Sequence, residues 1–262
     1  MKKTILILLC MAAVSANAQV ADTSKGKIAD TVKKDFTSQD TVKYNHSTLA
    51  SWLVPTGFVA YGSLSFVVKP IRNVDYYFKG IAAGPNSARY SKLSDYFQLA
   101  PGVAVYALNL FGDEGKDRFW DRTALLALSG TILTLTDGTK YLAHRVRPYG
   151  TDPLSFPSGH TGAAFVAAEF MAEEYGEKSA WYSVAAYTCA SATGILRVYG
   201  HAHWFSDCVA GAGFGILSVK TAYWLYPHIK HALTHKDKHG RSSMLMPTYH
   251  DGAPGISFAM QL

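Results

Sequence analysis

The sequence predicts an all-α protein, a single bundle of about six core helices with a candidate active site at one end. The first observation is a series of long apolar blocks without charged side chains, such as the 22 residues of Ser47–Val68 and the 18 residues of Ser179–Leu196. The second is that short charged links separate these blocks, and the third is that polar residues cluster where blocks end. Blocks of this length exceed ordinary strands and indicate helices.

The other blocks share this composition. They are Tyr96–Gly112, Thr123–Thr136 and Val209–Tyr226, the last of which contains Lys220. Pro55 and Pro101 fall near the start of their blocks, where a helix tolerates proline. The run GAGFG at 211–215 lacks the spacing and the preceding strand of a nucleotide-binding loop, so it predicts close helix packing through small residues.

Composition divides the chain into four segments. Residues 1–18 have the charged start, apolar stretch and small-residue cleavage site of a signal peptide. Residues 19–46 are polar and predict a disordered leader. Residues 47–229 predict the helical domain, and residues 230–262 a peripheral C-terminal tail. The chain is therefore expected to be exported to the cell envelope of a bacterium.

The net charge is modest, at +6 from 25 Lys and Arg against 19 Asp and Glu. Nucleic-acid-binding proteins concentrate more basic charge on one face, so no nucleic-acid partner is expected. An anionic small molecule or a lipid headgroup suits this charge better. Cys189 and Cys208 have no CxxC spacing, so they predict small buried residues and not a metal or redox site. A disulfide between them is left open.

The segment SFPSGHTGAAF, residues 155–165, predicts an anion site. Pro157, Ser158 and Gly159 precede small apolar residues, so a helix is expected to begin near Ser158. The first N–H groups of a helix lack internal partners and attract an anion. His160 lies in the same turn, where it can exchange a proton with that anion. A capped helix with an incidental histidine is the alternative.

The segment KYLAHRVRP supplies a pair of cations. Lys140 and Arg147 are seven residues apart and are expected to share a helical face. Pro148 disfavours helix at Arg147, which leaves the guanidinium group at the helix end. Two cations at this place can also complement the helix dipole or anchor a helix at a membrane interface. His144, one turn from Lys140, is a further candidate for lining a pocket.

The segment RVYGHAHWFSD supplies Arg197, His203 and Asp207. His203 and Asp207 are four residues apart and can meet on one helical turn. A carboxylate hydrogen-bonded to one ring nitrogen leaves the other nitrogen free as a base or nucleophile. The alternative is a solvent-facing His–Asp pair without a catalytic role. From the three segments we select three cations (Lys140, Arg147 and Arg197), two histidines (His160 and His203) and one carboxylate (Asp207). This inventory fits phosphoryl transfer, which positions and neutralises spread negative charge around an in-line nucleophile.

The three segments resemble the signature of the type 2 phosphatidic acid phosphatase/haloperoxidase superfamily, which includes bacterial acid phosphatases and membrane lipid phosphatases. The pattern KxxxxxxRP matches Lys140–Pro148, PSGH matches Pro157–His160, and RxxxxxHxxxD matches Arg197–Asp207. Every spacing agrees. Leu196 stands where the family pattern has Ser, so any hydroxyl contact from that position is lost. The resemblance covers roughly residues 47–229.

This resemblance implies a metal-independent phosphatase that needs no cofactor. His203 would attack phosphorus and form a phosphohistidine, with Asp207 orienting its ring. His160 would protonate the leaving oxygen and then activate water. The phosphate oxygens would be held by the other signature residues: Lys140, Arg147, Ser158, Gly159 and Arg197. The sequence has no carboxylate cluster suited to Mg²⁺.

Three other functions share this constellation of residues. A vanadium-dependent haloperoxidase binds vanadate with it, although those enzymes are generally longer. A phosphotransferase would hand the phosphoryl group to another alcohol or lipid. A non-catalytic binding protein would carry an inert site, and the three intact segments argue against it.

Helix length bears on localisation, because a membrane-spanning helix needs about 20 apolar residues. Ser47–Val68 reaches that length and Ser179–Leu196 nearly does. We expect an enzyme of the inner membrane whose site faces the periplasm, and a soluble periplasmic phosphatase is the alternative. A cleaved signal peptide followed by three spanning blocks would instead put Lys140 in the cytoplasm. The expected substrate is a phosphorylated lipid, such as phosphatidate, a polyprenyl diphosphate or lipid A, or a small phosphomonoester.

Overall fold

The computed structural model describes residues 49–82, 87–150, 152–236, 242–250 and 253–260. The predicted signal peptide (1–18) and leader (19–46) lie outside the described residues. The helices are α1 (Leu49–Leu64), α2 (Lys69–Ile81), α3 (Ser87–Leu110), α4 (Phe119–Thr136), α5 (Thr139–Ala143), α6 (Gly159–Tyr175), α7 (Ala180–Tyr199) and α8 (Phe205–Leu233). They are followed by the strands β1 (Thr234–Lys236), β2 (Ser242–His250) and β3 (Ala253–Met260).

The predicted all-α bundle is confirmed. Helices α6 and α8 form its centre, since α6 packs against α3, α7 and α8, and α8 also packs against α1 and α4. The core is apolar, and its most deeply buried side chains include Val105, Leu125, Phe170, Tyr175 and Val219. Helices α6 and α8 both begin at the same end of the bundle, called here the site end. The opposite end, where α6 stops at Tyr175, is called the far end.

Glycines on α8 let three helix backbones approach closely, as the GAGFG run predicts. A Cβ atom added to Gly211 would lie 2.5 Å from the carbonyl oxygen of Ser158, at the start of α6. At Gly215 it would collide with the carbonyl oxygen of Gly162. At Gly213, on the other side of α8, it would lie 2.5 Å from the carbonyl oxygen of Pro55 in α1. The beginning of α6 is therefore fixed by direct backbone packing against α8.

Two helices differ from the expected boundaries. Pro55 and Pro101 lie inside α1 and α3, further along each helix than their positions near the starts of the apolar blocks suggest. Helix α3 begins at Ser87, well before the apolar block at Tyr96. Its first residues, 87–95, are mostly polar and include Asp95 at the site end. The uncharged block is thus only the inner part of a longer helix.

Helix α2 lies across the site end. It follows α1 after a short turn and is bent from it by 86°. Pro70 lies in its first turn, where proline is tolerated. Its buried face carries Asp75, while Tyr76 and Tyr77 are exposed. This orientation aims the Asp75 carboxylate at the segments that hold the signature residues.

The C-terminal residues form an antiparallel sheet in the order β1-β2-β3. Helix α8 continues to Leu233, beyond the predicted domain end at residue 229. Strand β2 pairs with β1 through Met244 and Thr234, and with β3 through Leu245 and Phe258. The sequence predicts a peripheral tail here and does not predict the strands, which leave the helical bundle unchanged.

Candidate active site

The three signature segments meet at the site end of the bundle. The Lys140 ammonium group donates a hydrogen bond to the carbonyl oxygen of Pro157, which joins the first segment to the second. The Ser158 N–H donates to the carbonyl oxygen of Asp207 at 3.1 Å, which joins the second to the third. The Arg147 guanidinium donates to the carbonyl oxygen of Ala202 at 3.2 Å and joins the first to the third. Every pair of segments is therefore in direct contact.

His203 is buried in the turn before α8, with one ring nitrogen committed. Its Nδ1 atom lies 2.7 Å from the carbonyl oxygen of Ser155. A carbonyl oxygen only accepts, so Nδ1 carries the hydrogen and the lone pair of the neutral ring is on Nε2. The Nδ1 atom lies 4.0 Å from Asp207 Oδ2, beyond hydrogen-bond distance. The expected direct contact between Asp207 and His203 is thus replaced by a backbone carbonyl.

Asp207 supports His203 indirectly, through hydrogen bonds to neighbouring residues. Its Oδ2 atom accepts a hydrogen bond from the Ser155 hydroxyl group at 2.5 Å and from the Trp204 N–H at 3.1 Å. It therefore holds the residue whose carbonyl binds His203, and also the turn that follows His203. Its Oδ1 atom lies 2.6 Å from the Arg145 guanidinium group. The carboxylate is fully buried and has partners at both oxygens.

Arg145 is the centre of a buried network that the sequence did not reveal. Besides Asp207, its guanidinium group contacts Asp75 on α2 at 2.6 Å and the Ser206 hydroxyl group at 2.8 Å. Asp75 in turn accepts hydrogen bonds from the Ser206 N–H at 2.8 Å and hydroxyl at 2.7 Å. The Trp204 ring lies against the guanidinium group at 5.5 Å. Away from water, one arginine is thus the counterion of two carboxylates, and hydrogen bonds stabilise the remaining negative charge.

Three cations surround His203 electrostatically. Burial is the largest cause that holds the pKa of His203 well below its usual range, and the charges of Arg147, Arg197 and Lys140 lower it further. The Ser155 carbonyl works in the opposite direction but does not compensate. The imidazole is therefore neutral at physiological pH. A neutral ring beside three cations is suited to attack an anion that those cations bind.

The first turn of α6 completes the concave side of the site. Ser158 is its N-cap, and the Ser158 hydroxyl group pairs with the Thr161 hydroxyl group at 2.9 Å. A Cβ atom at Gly159 would lie 3.8 Å from the Lys140 ammonium nitrogen, so the bare glycine backbone faces this cation. The first N–H groups of α6 point outward at the same place, as they do in phosphate sites at helix N-termini.

His160 is the second imidazole at this end, and it is half-exposed. Its Nε2 atom lies 3.3 Å from Asp95 Oδ1 of α3. Burial and the charge of Arg197 are the largest causes that lower the pKa of His160, and Arg147 lowers it further. Asp95 opposes them by charge and by hydrogen bonding. His160 is thus positioned between positive groups on one side and a carboxylate on the other.

Similarity to known proteins agrees with this geometry. Residues 123–230 match the PAP2 superfamily. A lipid A 1-phosphatase of Porphyromonas gingivalis is 37% identical over 155 residues, which are 58% of this chain and 35% of that protein. The similarity therefore spans about a third of the length of that curated relative.

A solved structure supports the same fold. It is the first transmembrane PAP2 type phosphatidylglycerolphosphate phosphatase from Bacillus subtilis, and it is 20% identical to this chain with a TM-score of 0.50. The superposition covers 68% of this chain and 98% of that protein. At this identity the likeness concerns the arrangement of helices.

The region that matches the PAP2 superfamily contains all three signature segments but not every residue of the site. It begins at Thr123 in α4 and ends at Lys230 in α8. Asp75 and Asp95 come from α2 and α3, which precede it. The extra helices therefore add two carboxylates to the site, one behind His203 through Arg145 and one beside His160.

Local structure in the matched region departs from two expectations. Helix α5 ends at Ala143 because His144 adopts a left-handed conformation with φ 43°, so Arg147 does not share a helical face with Lys140. His144 itself is exposed at this helix end. His203 precedes α8, so His203 and Asp207 do not lie on one helical turn. The spacing still brings these residues together, but through turns whose backbone groups also take part.

Proposed function

We propose that this protein is a metal-independent phosphoric ester hydrolase that forms a phosphohistidine on His203. The observation that carries the proposal is the pair of imidazoles, each held by an oxygen acceptor, beside Lys140, Arg147 and Arg197. Cations and helix N–H groups match the equatorial oxygens of a phosphoryl group. The match to the PAP2 superfamily and the lipid A 1-phosphatase relative support the same chemistry.

In the first step, the Nε2 lone pair of His203 attacks phosphorus. The bond from phosphorus to the leaving oxygen breaks as the N–P bond forms, and protonated His160 gives its proton to that oxygen. The Ser155 carbonyl favours this step, because it stabilises the positive charge that appears on the His203 ring. The products are the free alcohol and phospho-His203.

In the second step, neutral His160 accepts a proton from water as the water oxygen attacks phosphorus. The N–P bond breaks, His203 recovers its neutral Nε2, and inorganic phosphate leaves with the new oxygen. His160 ends the cycle protonated, as it began. Lys140, Arg147 and Arg197 stabilise the extra negative charge in both steps because they act on the equatorial oxygens.

We propose a phosphorylated lipid as the substrate class. The name of the Porphyromonas relative specifies a phosphate on lipid A, and the Bacillus protein is named for a phospholipid phosphate. At the site end, Tyr76 and Tyr77 of α2 are exposed, and the Tyr76 ring packs against Trp204, which immediately follows His203. Aromatic side chains of this kind favour the boundary between lipid headgroups and water.

The bundle surface supports a place in the membrane. Within α8, the segment Phe205–His231 is long and apolar enough to span a bilayer. The bent pair of α1 and α2, over Ser51–Leu64 and Lys69–Ile81, is also long and apolar enough if the two helices count as one span. Aromatic side chains are exposed at both ends of the bundle. They are Trp120, Trp181 and Trp224 towards the far end, and Tyr76, Tyr77, Tyr96, Tyr141 and Tyr149 at the site end. Two such belts are typical of membrane proteins.

We further propose that the site faces the periplasm of the inner membrane. Helices α1, α3 and α4 precede Lys140, and α1 begins towards the far end. If all three cross the membrane, a periplasmic site requires the chain before Leu49 to start in the cytoplasm. A signal peptide cleaved after Ala18 would place that chain outside. N-terminal sequencing of the membrane-bound protein decides between these two arrangements.

The enzymatic test uses the full chain in detergent with a chelator present. Phosphate release is measured in parallel from lipid A, phosphatidate and p-nitrophenyl phosphate. We expect release from at least one lipid, and a loss of at least about 10³-fold in His203→Ala, because removal of a nucleophile leaves only binding and charge stabilisation. His228→Ala, an exposed histidine at the far end of α8, is the matched control and should retain full activity.

Two results would contradict the proposal. One is the absence of phosphate release from every ester by the parent protein, and the other is near-normal activity of His203→Ala. Localisation is tested separately by washing membranes with alkaline carbonate. The protein should stay in the pellet, and its recovery in the supernatant would exclude membrane embedding.

A further inference from the structure

Asp95 is an acidic residue at the site end that no signature pattern includes. It lies on α3, which precedes the region that matches the PAP2 superfamily, and its carboxylate is 3.3 Å from His160 Nε2. It is the one acidic residue of α3. About half of its side chain remains exposed, so burial of apolar surface does not explain its position. The contact with His160 is therefore its distinguishing feature.

The chemistry of His160 requires a partner of this kind. A histidine that carries a proton between the leaving oxygen and water needs one nitrogen committed and the other directed at the reacting oxygen. His203 has this arrangement through the Ser155 carbonyl. Among the residues that the structure describes, Asp95 supplies the corresponding acceptor for His160.

The charges around His160 also require a negative partner for its protonated form. Three charged groups face it from three elements: Arg197 from α7, Arg147 from the loop after α5, and Asp95 from α3. The two guanidinium groups disfavour an imidazolium ion, yet the first chemical step needs one. The Asp95 carboxylate is the group that favours it. Without Asp95, two arginines that serve the phosphate would act against the general acid.

We infer that Asp95 is a positioning residue that holds His160 through Nε2, so that Nδ1 carries the proton to the leaving oxygen. This inference rests on the proposed function. In the first step the proton moves from Nδ1 to the leaving oxygen while the P–O bond breaks. The other proton stays on Nε2 in both steps, hydrogen-bonded to the Asp95 carboxylate. In the second step Nδ1 accepts a proton from water. Asp95 thus stays ionised and does not exchange a proton with substrate.

The test compares Asp95→Asn with Asp95→Glu on two substrates of different leaving group. An alkyl phosphate needs a proton on its departing oxygen, whereas p-nitrophenolate leaves without one. We expect kcat/KM of Asp95→Asn to fall between about ten- and a hundredfold on the alkyl phosphate, and less than about threefold on p-nitrophenyl phosphate. Asp95→Glu should recover most of the loss, and KM should change little.

The pH profile supplies a second readout that a structural role would not move. Loss of the carboxylate destabilises the imidazolium form of His160, so its pKa falls. The basic limb of kcat/KM for the alkyl phosphate should therefore move to lower pH in Asp95→Asn. Glu177→Gln, which removes an exposed carboxylate at the far end, should leave both the profile and the leaving-group dependence unchanged.

The outcomes separate this inference from the proposed function. If His203→Ala is inactive but Asp95→Asn has the parent's pH profile and equal losses on both substrates, the role of Asp95 is wrong and the proposed function stands. If His203→Ala is active, the proposed function itself fails. Equal melting temperatures of Asp95→Asn and the parent confirm that the comparison concerns folded protein.

Discussion

The guanidinium group of Arg145 lies 2.6 Å from the carboxylate of Asp207, at the centre of the buried network behind His203. The same group lies 2.6 Å from Asp75, so one arginine is the shared counterion of two carboxylates that come from different parts of the chain. Removal of the arginine would leave two buried negative charges without a counterion. The geometry of the His203 turn therefore depends on a buried residue that is not one of the proposed phosphate-binding residues.

Arg145→Met should destabilise the protein strongly, by about 3–5 kcal/mol, because unpaired buried carboxylates are left behind. Thermal unfolding of the detergent-solubilised protein measures this. The matched control is Arg147→Met, two residues away, whose partner Asp152 is largely exposed. That variant should lose less than about 1 kcal/mol of stability but most of its activity. Equal stability losses would contradict the different roles given to the two arginines.

Asp207→Asn should reduce activity without abolishing it. Because the Ser155 carbonyl holds His203 Nδ1 directly, loss of the Asp207 charge weakens the support of Ser155 and not the ring contact itself. We expect kcat to fall by about ten- to a hundredfold, well short of the loss in His203→Ala. Ser155→Ala keeps the carbonyl and should lose less than Asp207→Asn. If Asp207→Asn were as inactive as His203→Ala, the result would contradict the indirect role and favour a direct contact between Asp207 and His203.

The acid side of the pH profile reports the charge around His203. Arg147 is one of the cations that hold the pKa of His203 below its usual range, so Arg147→Met should raise this pKa. The nucleophile then becomes protonated at a higher pH on acidification. The acid limb of kcat/KM should move upward in pH relative to the parent on the same substrate. A limb that stays in place or moves downward would exclude His203 as the group that titrates there.

Close packing of α8 on α6 predicts a sharp difference between glycines. Gly211→Ala places a methyl group 2.5 Å from the Ser158 carbonyl oxygen, so the first turn of α6 must shift. We expect losses of both stability and activity, each measurable on the purified protein, with a cost of at least about 1–3 kcal/mol. Gly57→Ala and Gly130→Ala add a methyl group to open space and should unfold at or above the parent temperature. Equal behaviour of the three variants would contradict the packing argument.

The sequence was sufficient for the helical fold and for the convergence of the three segments. Long uncharged blocks indicate helices, and the resemblance of the three segments to a known signature implies a shared chemical role for residues such as Lys140, His160 and His203. The GAGFG run also predicted its packing role, since small residues on one helix permit close backbone contact.

The partners of these residues were not predictable, for identifiable reasons. The acceptor for His203 is a backbone carbonyl, and any residue type at position 155 would carry one. Asp75 lies on a helix that the sequence analysis did not identify, and its contact with Arg145 spans 70 residues of chain. Asp95 directly precedes the uncharged block that begins at Tyr96, so the block does not reveal that Asp95 lies on the same helix, which begins at Ser87. In each case the signal lies in tertiary packing and not in local pattern.

The central claim is that His203 becomes covalently phosphorylated. The most direct test is to label the enzyme with a substrate that carries a radioactive phosphoryl group, because a phosphohistidine is labile in acid and stable in alkali. The protein is mixed with labelled p-nitrophenyl phosphate, quenched in alkali within the first turnovers, and separated from free phosphate. The account predicts label on the parent, more label on His160→Ala because water activation is impaired, and none on His203→Ala. Label that persists in His203→Ala, or its absence from both the parent and His160→Ala during measurable turnover, would contradict it.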